Sequence, residues 1–371
     1  MCNSWRIMGW YKLMNESEVD SPALLVYPDR IKHNIALAVS MIGDVDRLRP
    51  HVKTHKTKEI LQLQLDAGIT KFKCATIAEA EMLGECGALD VLLAYPLHGP
   101  KIGRFLSLVQ RFPATRFAAI VDHEAGAQAL SGAAAAVGKP IDSYVDLNIG
   151  MGRTGIQPGD GALALYRLCA GLEGLTVCGF HAYDGHVREI DMDKRTAICD
   201  GNLEPIASMV YQLRQEGFVP PRIVIGGSPS FPVYAKYPDV ECSPGTFVLW
   251  DKGYGDTLPE QGFLPAAVLL CRIVSMPAPN RLCIDLGYKA VAAENPLDRR
   301  VYFLNAPDLE PVGHSEEHLV LRAPEGHHYR EGDVLYALPI HICPTVALYD
   351  RLTVVQDCQA IGTWPVVARK R

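Results

Sequence analysis

The octet Arg49-Pro50-His51-Val52-Lys53-Thr54-His55-Lys56 carries five basic or imidazole side chains at the junction of two apolar runs. Positive charge crowded that closely is unfavourable unless something anionic sits beside it. A strand-end lysine whose ammonium is pushed toward neutrality by positive neighbours is the type that forms a Schiff base with a carbonyl. Lys53 is that lysine, and His51, His55 and Lys56 are the neighbours that tune it. Taken alone, the octet also reads as a basic loop on a solvated face.

Three further stretches carry groups that converge on one kind of ligand. In Asp146-Leu147-Asn148-Ile149-Gly150-Met151-Gly152-Arg153-Thr154-Gly155, glycines turn the chain sharply and project Arg153, a residue suited to holding an oxyanion. The segment His181-Ala182-Tyr183-Asp184-Gly185-His186 is dense in groups that donate, stack or transfer protons, and Tyr183 and His186 are placed in the pocket. Gly226-Gly227-Ser228 reads as a nest of backbone N–H groups for a phosphate, completed by Gly245 and Thr246 of Ser243-Pro244-Gly245-Thr246. A lysine, an arginine, a tyrosine and a phosphate nest together match what pyridoxal 5′-phosphate requires.

A second constellation lies far along the chain. His341-Ile342-Cys343-Pro344-Thr345 puts an imidazole and a thiol two residues apart. On a strand such residues share a face roughly 7 Å apart, within reach of one ion with bonds of about 2.0 to 2.3 Å. Two protein ligands leave positions for substrate or water, as a catalytic Lewis acid needs. The thiolate favours zinc over manganese or magnesium. A half-buried strand end with an incidental His and Cys is the plainer reading of so short a motif.

The elements that must position these residues follow a repeating pattern. Apolar strand candidates at 46–53, 71–77, 90–97, 116–122, 142–149, 176–183, 222–228 and 240–249 alternate with amphipathic stretches at 58–67, 78–86, 102–112, 124–137, 162–172 and 194–215. The last gap, 229–239, lacks a good helix. Strands with helical crossovers predict an α/β fold, a (β/α)₈ TIM-type barrel, whose chemistry belongs at the C-terminal strand ends. No G-x-G-x-x-G follows the first strand, which disfavours a dinucleotide-binding sheet. Beyond residue 263, short runs at 266–275, 281–285, 318–322, 333–337 and 352–356 between Gly, Pro, Asn and Asp predict a C-terminal mostly-β domain. The resulting division is a tail over 1–20, a barrel over 21–258 and a β-domain carrying the metal pair over 259–371. A strand at 21–28 is expected to pair with the β-domain.

The whole chain excludes several classes. With 371 residues and a formal net charge of −6, there is no basic footprint for nucleic acid or an anionic membrane. The 11 cysteines form no CxxC pair and several sit inside apolar runs, which suits buried thiols in a reducing cytoplasm. Neither a signal peptide nor a spanning helix is expected. Met8 is a candidate alternative start. A small-molecule ligand remains.

Taken together, Arg49–Lys56, Met151-Gly152-Arg153-Thr154-Gly155-Ile156, Tyr183-Asp184-Gly185-His186, Gly226-Gly227-Ser228, Ser243-Pro244-Gly245-Thr246, Ser315-Glu316-Glu317-His318 and His341-Ile342-Cys343-Pro344-Thr345 resemble the D-threonine aldolase and D-serine dehydratase family. These are metal-assisted pyridoxal-phosphate enzymes with an alanine-racemase-type barrel and a C-terminal β-domain. The resemblance spans roughly residues 20 to 367. It implies that Lys53 carries the cofactor covalently, that Arg153 touches its phenolate oxygen, that His341 and Cys343 hold the metal, and that the chain is a homodimer acting on a small D-amino acid. The His-x-Cys pattern resembles the dehydratases, whereas the wider sequence resembles the aldolases.

The expected activity is a lyase acting on β-hydroxy D-amino acids, by Cα–Cβ cleavage to glycine and an aldehyde with His186 as base. D-serine dehydration to pyruvate and ammonia, begun by Lys53 removing the Cα proton, is the alternative. A racemase has no use for a Lewis acid at the hydroxyl. A non-catalytic pyridoxal-phosphate carrier needs neither the β-domain nor the His-x-Cys pair.

Overall fold

A computed structural model describes residues 9–371; Cys2, Met8 and the start of the expected tail lie outside the described residues. The chain divides into two compact units. One comprises Ala36–Lys53, Leu61–Gly245 and Lys370–Arg371; the other comprises, among the described residues, 9–35, Thr54–Ile60 and Thr246–Arg369.

The first strand, β1 (Ala23–Val26), belongs to the sheet of the second unit. The next seven strands are β2 (Lys71–Cys74), β3 (Asp90–Leu93), β4 (Arg116–Val121), β5 (Ile141–Leu147), β6 (Leu175–Ala182), β7 (Arg222–Ile225) and β8 (Val240–Cys242). They form one parallel sheet in sequential order. Their crossovers carry the helices Ile77–Glu85, Pro100–Arg111, Glu124–Ala136, Asp160–Ala170 and Met192–Gln215, as the amphipathic spacing predicts. The weak gap between the last two strands holds a single turn, Phe231–Tyr234. Local chemistry sets the helix starts: the side chains of Thr76 and Asp191 accept the N–H groups of Glu79 and Lys194.

The expected strand at 46–53 is not a strand. Val45–Arg47 is a 3₁₀ turn, and the following residues make two isolated parallel bridges, Leu48 to Cys242 and His51 to Lys73. Pro50 has no N–H to donate to a ladder; its carbonyl accepts from Lys73 N–H, while Arg49 N–H donates to the Cys242 carbonyl. This segment therefore spans from β8 to β2 in the eighth place of the barrel. The last expected strand, 240–249, ends at Cys242 because Pro244 and Gly245 lead into the 3₁₀ turn Thr246–Val248.

The inside of this unit is charged at one level and apolar at another. Arg49 is fully buried and pairs with Asp90 at 2.6 Å and Glu241 at 2.7 Å, and Lys71 joins Glu241 at 2.9 Å. Burial opposes the guanidinium's charge, but Glu241 and Asp90 hold it protonated. Leu92, Ala118, Ile120, Tyr144 and Val224 form an apolar cluster.

In the second unit, β1 pairs antiparallel with β9 (Ala267–Ala278), while β10 (Arg281–Ile284), β11 (Val301–Phe303), β12 (Glu310–His314), β13 (Leu319–Arg322), β14 (Val334–Pro339), β15 (Arg351–Gln356) and β16 (Gln359–Pro365) complete a nine-stranded sheet. β1 also lies parallel to β15. Strands β11, β12 and β16 escape sequence reading because they are short or interrupted by Pro311, Gly313 and Gly362. The core gathers Leu13, Val19, Leu25, Tyr27, Val268, Leu270, Tyr336, Leu338 and Val355. No disulfide forms among the described cysteines, and no helix among the described residues is long and apolar enough to cross a membrane.

Candidate active site

Lys53 follows the His51 bridge directly. Its backbone N–H donates to His51 Nδ1 at 3.3 Å, which tightens the turn that leaves the bridge. Three cations surround one ring: Lys53 Nζ lies 5.3 Å from the Tyr183 ring centroid, Arg153 Cζ 5.1 Å and Lys73 Nζ 5.5 Å. They come from the bridging segment, from the turn after β5 and from β2, so the parallel topology brings together residues up to 130 positions apart in sequence. Each cation–ring contact contributes about 0.5 to 2 kcal/mol, too little to gather three like charges. An anionic group belongs among them.

Acidic and imidazole groups stand on the same side. Asp146 at the end of β5 accepts from His181 Nδ1 at 2.7 Å, and both are buried. Burial, ahead of that bond, holds the His181 ring below its usual value and neutral. Asp184 accepts from Ser230 Oγ at 2.9 Å, and burial pushes its carboxyl up. Yet Asp146 Oδ2, Asp184 Oδ2, His181 Nε2 and Lys73 Nζ are buried and find no hydrogen-bond partner among the described residues. A polar ligand in the barrel mouth would satisfy these four atoms. A small cavity lined by Asp146, Leu147, Met151, Arg153, Thr154 and Tyr183 adjoins them.

Glycines make the room. A Cβ at Gly227 would stand 3.2 Å from the Tyr183 ring, and one at Gly185 only 2.2 Å from its hydroxyl. Gly226 adopts φ +82°, and a Cβ there would meet Tyr234 and Ser230. The Gly226-Gly227-Ser228 turn is partly self-satisfied: Gly226 N–H donates to the Ala182 carbonyl, Gly227 N–H to Ser230 Oγ at 3.1 Å, and Gly245 N–H to Ser228 Oγ at 3.2 Å. His186 is exposed and lies against the turn after β5, its Nε2 2.5 Å from where a Gly150 Cβ would be.

The octet separates into parts with different environments. Arg49 belongs to the buried ion network. His55 is fully buried, and burial pulls its pKa down to about 3, so it adds no positive charge. Lys56 takes φ +56°, and its carbonyl accepts from Ala368 N–H.

His341 and Cys343 lie in the second unit and not on a strand. His341 is the extended residue capping the turn Ile342–Val346, and Cys343 sits in its first turn, where Pro344 is tolerated because the first N–H groups have no intrahelical partner. The extended cap lets the imidazole turn back to hydrogen-bond the thiol; burial works against its charge, but Cys343, then Glu294, raise its pKa to about 9. His341 Nδ1 meets Glu294 Oε1 at 2.6 Å. Cys343 Sγ lies 3.1 Å from Thr54 Oγ1 and 3.5 Å from Thr246 Oγ1. Asp251 anchors the turn by accepting Ile342 N–H at 3.0 Å. No group of three or more His, Cys, Asp or Glu is arranged for a metal among the described residues. The pair does fit an open site, since a nitrogen and a sulfur donor converge within hydrogen-bonding distance of each other.

Sequence reading passed over Lys73, Asp146, His181 and Asp184. One signal was available: Lys71 and Lys73 alternate with Phe72 and Cys74, so a short strand of a parallel barrel carries two charges on one face.

Comparison with known proteins identifies the family and the fold. Residues 26–249 match the family described as alanine racemase, N-terminal domain, and residues 266–355 match the putative serine dehydratase domain. The chain belongs to the alanine racemase N-terminal domain family. It is 28% identical to the D-threonine aldolase of Arthrobacter sp over 359 residues, covering 95% of this chain and 93% of that protein. It is 27% identical to the 3-hydroxy-D-aspartate aldolase of Paracoccus denitrificans (strain Pd 1222), covering 96% and 94%. The crystal structure of D-threonine aldolase from Filomicrobium marinum superposes with a TM-score of 0.88 at 27% identity, covering 95% of this chain and 96% of that one. These likenesses place the chain among the pyridoxal-phosphate-dependent aldolase-like and dehydratase-like enzymes.

Proposed function

We propose that this protein is a pyridoxal-phosphate- and metal-dependent lyase that cleaves the Cα–Cβ bond of β-hydroxy D-amino acids, releasing glycine and an aldehyde. The observation that carries the reading is the convergence of Lys53 and Arg153 on the Tyr183 ring, beside four buried polar atoms without partners. When bound, pyridoxal phosphate supplies an electron sink for the bond that breaks at Cα.

Lys53 would anchor the cofactor through its amine. Arg153 would hold the ring oxygen through its guanidinium. Tyr183 bounds the ring, and His51 and His181 fix the walls. The glycines at 226, 227 and 245, with Ser228, let the backbone approach the phosphate. His186 takes the proton from the substrate's β-hydroxyl. His341 and Cys343 would hold a divalent ion, with zinc favoured by the thiolate and manganese or magnesium as the alternatives. That ion supplies a Lewis acid for the hydroxyl.

One observation favours a second reading. The serine dehydratase match over 266–355 includes Cys343, and the His-x-Cys pattern resembles the dehydratases, which favours the dehydration of D-serine to give pyruvate and ammonia. A product assay with D-threonine, D-serine and 3-hydroxyaspartate, with and without chelator, decides. Glycine plus aldehyde supports the aldolase, a keto acid plus ammonia the dehydratase, and no turnover with cofactor and metal present rejects both in favour of a carrier.

A further inference from the structure

The proposed reaction leaves one buried amine without a task. Lys73 is 1% exposed and sits inside the barrel on β2, and its Nζ finds no hydrogen-bond partner among the described residues. Lys71, on the same face of the same strand, is instead paired with Glu241 at 2.9 Å. An amine removed from water and left unpaired is strongly disfavoured, so a lysine kept there has a use that the protein atoms alone do not satisfy.

Several neighbouring elements contribute charged or titratable groups. The bridging segment brings Lys53 and Arg49, β5 brings Asp146, and the end of β6 brings Asp184 and the Tyr183 ring at 5.5 Å. His181 faces the same space from β6 and Arg153 from the turn after β5. The two carboxylates each keep one oxygen, and His181 keeps Nε2, without a partner. Lys73 thus shares its surroundings with cations that would hold a cofactor and with acids of opposite charge.

We propose that Lys73 is a positioning residue of the cofactor pocket: its amine takes up and releases a proton beside Lys53 and Tyr183, and that proton sets the electrostatic field on a pyridoxal-type cofactor held at Lys53. The proposal rests on the reading of Lys53 as the anchor. Burial first, and the Lys53 ammonium second, bring Lys73 down to about 7, whereas Asp184 and Asp146 act in the opposite sense. The group therefore changes charge in the neutral range. Charged, it stabilises negative charge on the ring oxygen or a substrate carboxylate; neutral, it does not.

The test is the visible spectrum of the holoenzyme against pH. In the wild type the absorbance shifts with pH as Lys73 gains and loses its proton. In Lys73→Met that step is absent. In Lys73→Arg, whose charge persists, the spectrum stays in its acidic form across the range. A wild-type holoenzyme whose spectrum does not change with pH overturns the proposal whatever the variants do. A Lys73→Met spectrum titrating at the wild-type midpoint overturns it too. If Lys73→Met does not fold, the wild type compared with Lys73→Arg still decides, because an unchanged midpoint in the arginine variant is equally fatal. A wild-type protein that takes up no cofactor overturns the Lys53 reading itself, which separates that failure from a holoenzyme whose spectrum does not move.

Discussion

His181 donates through Nδ1 to Asp146 Oδ1 at 2.7 Å, with both side chains buried. The bond fixes the tautomer, so Nε2 presents a lone pair to the barrel mouth. Asp146→Ala frees the ring to turn. The expected result is a fall in kcat/KM of about tenfold or more with the fold retained, read from steady-state kinetics alongside far-ultraviolet circular dichroism. Unchanged kinetics would assign the pair a packing role.

Lys53 is expected to be irreplaceable. Lys53→Ala loses the visible absorbance of covalently bound cofactor and at least about a thousandfold of turnover. A variant that keeps both would remove Lys53 from the chemistry.

The metal pair predicts a separate loss. Cys343→Ala and His341→Ala each lower the affinity for zinc by at least about tenfold, measured by competition with a chromogenic chelator. Chelation abolishes turnover of the wild type, and added zinc returns it. Turnover indifferent to chelator would exclude the Lewis-acid role.

Arg49 predicts a structural effect with no chemistry. Arg49→Ala leaves Asp90 and Glu241 buried without their cation and destabilises the protein by about 3 to 5 kcal/mol, seen as a lower urea midpoint. A loss below about 1 kcal/mol would show that Lys71 and water compensate.

Lys73 sets a pH dependence of stability in the cofactor-free protein. Its value is lowered in the fold from 10.5 to about 7, so between these values the unfolded chain binds more protons and stability rises with pH. The penalty is fully present below about pH 7 and gone above about pH 10.5. Lys73→Met removes this slope and raises stability at neutral pH by up to about 4 kcal/mol. Urea midpoints measured across that range check both sign and size, and a slope surviving in the variant would locate the titrating group elsewhere.

The βα alternation was legible because buried parallel strands read as apolar runs and their crossovers as amphipathic helices. The segment at 46–53 looked equally apolar, yet Pro50 and the demands of Arg49 reduce it to two bridges. The His341 and Cys343 pair was legible as chemistry but misplaced on a strand, because a helix beginning just after His341 leaves no periodic signal in so short a run.

The sequence by itself determined the residue types that bear the chemistry: a strand-end lysine, a glycine-flanked arginine, a Tyr-Asp-Gly-His turn and a His-x-Cys pair. It could not assign their environments. Burial is a property of the folded chain, and burial made His55 neutral, turned Arg49 into a structural ion pair and left Lys73 as an unpartnered amine. The octet looked like one basic patch because neighbours in sequence share a composition. The barrel sends successive residues to different surroundings, and there desolvation and the nearest charges decide which of them carry a proton.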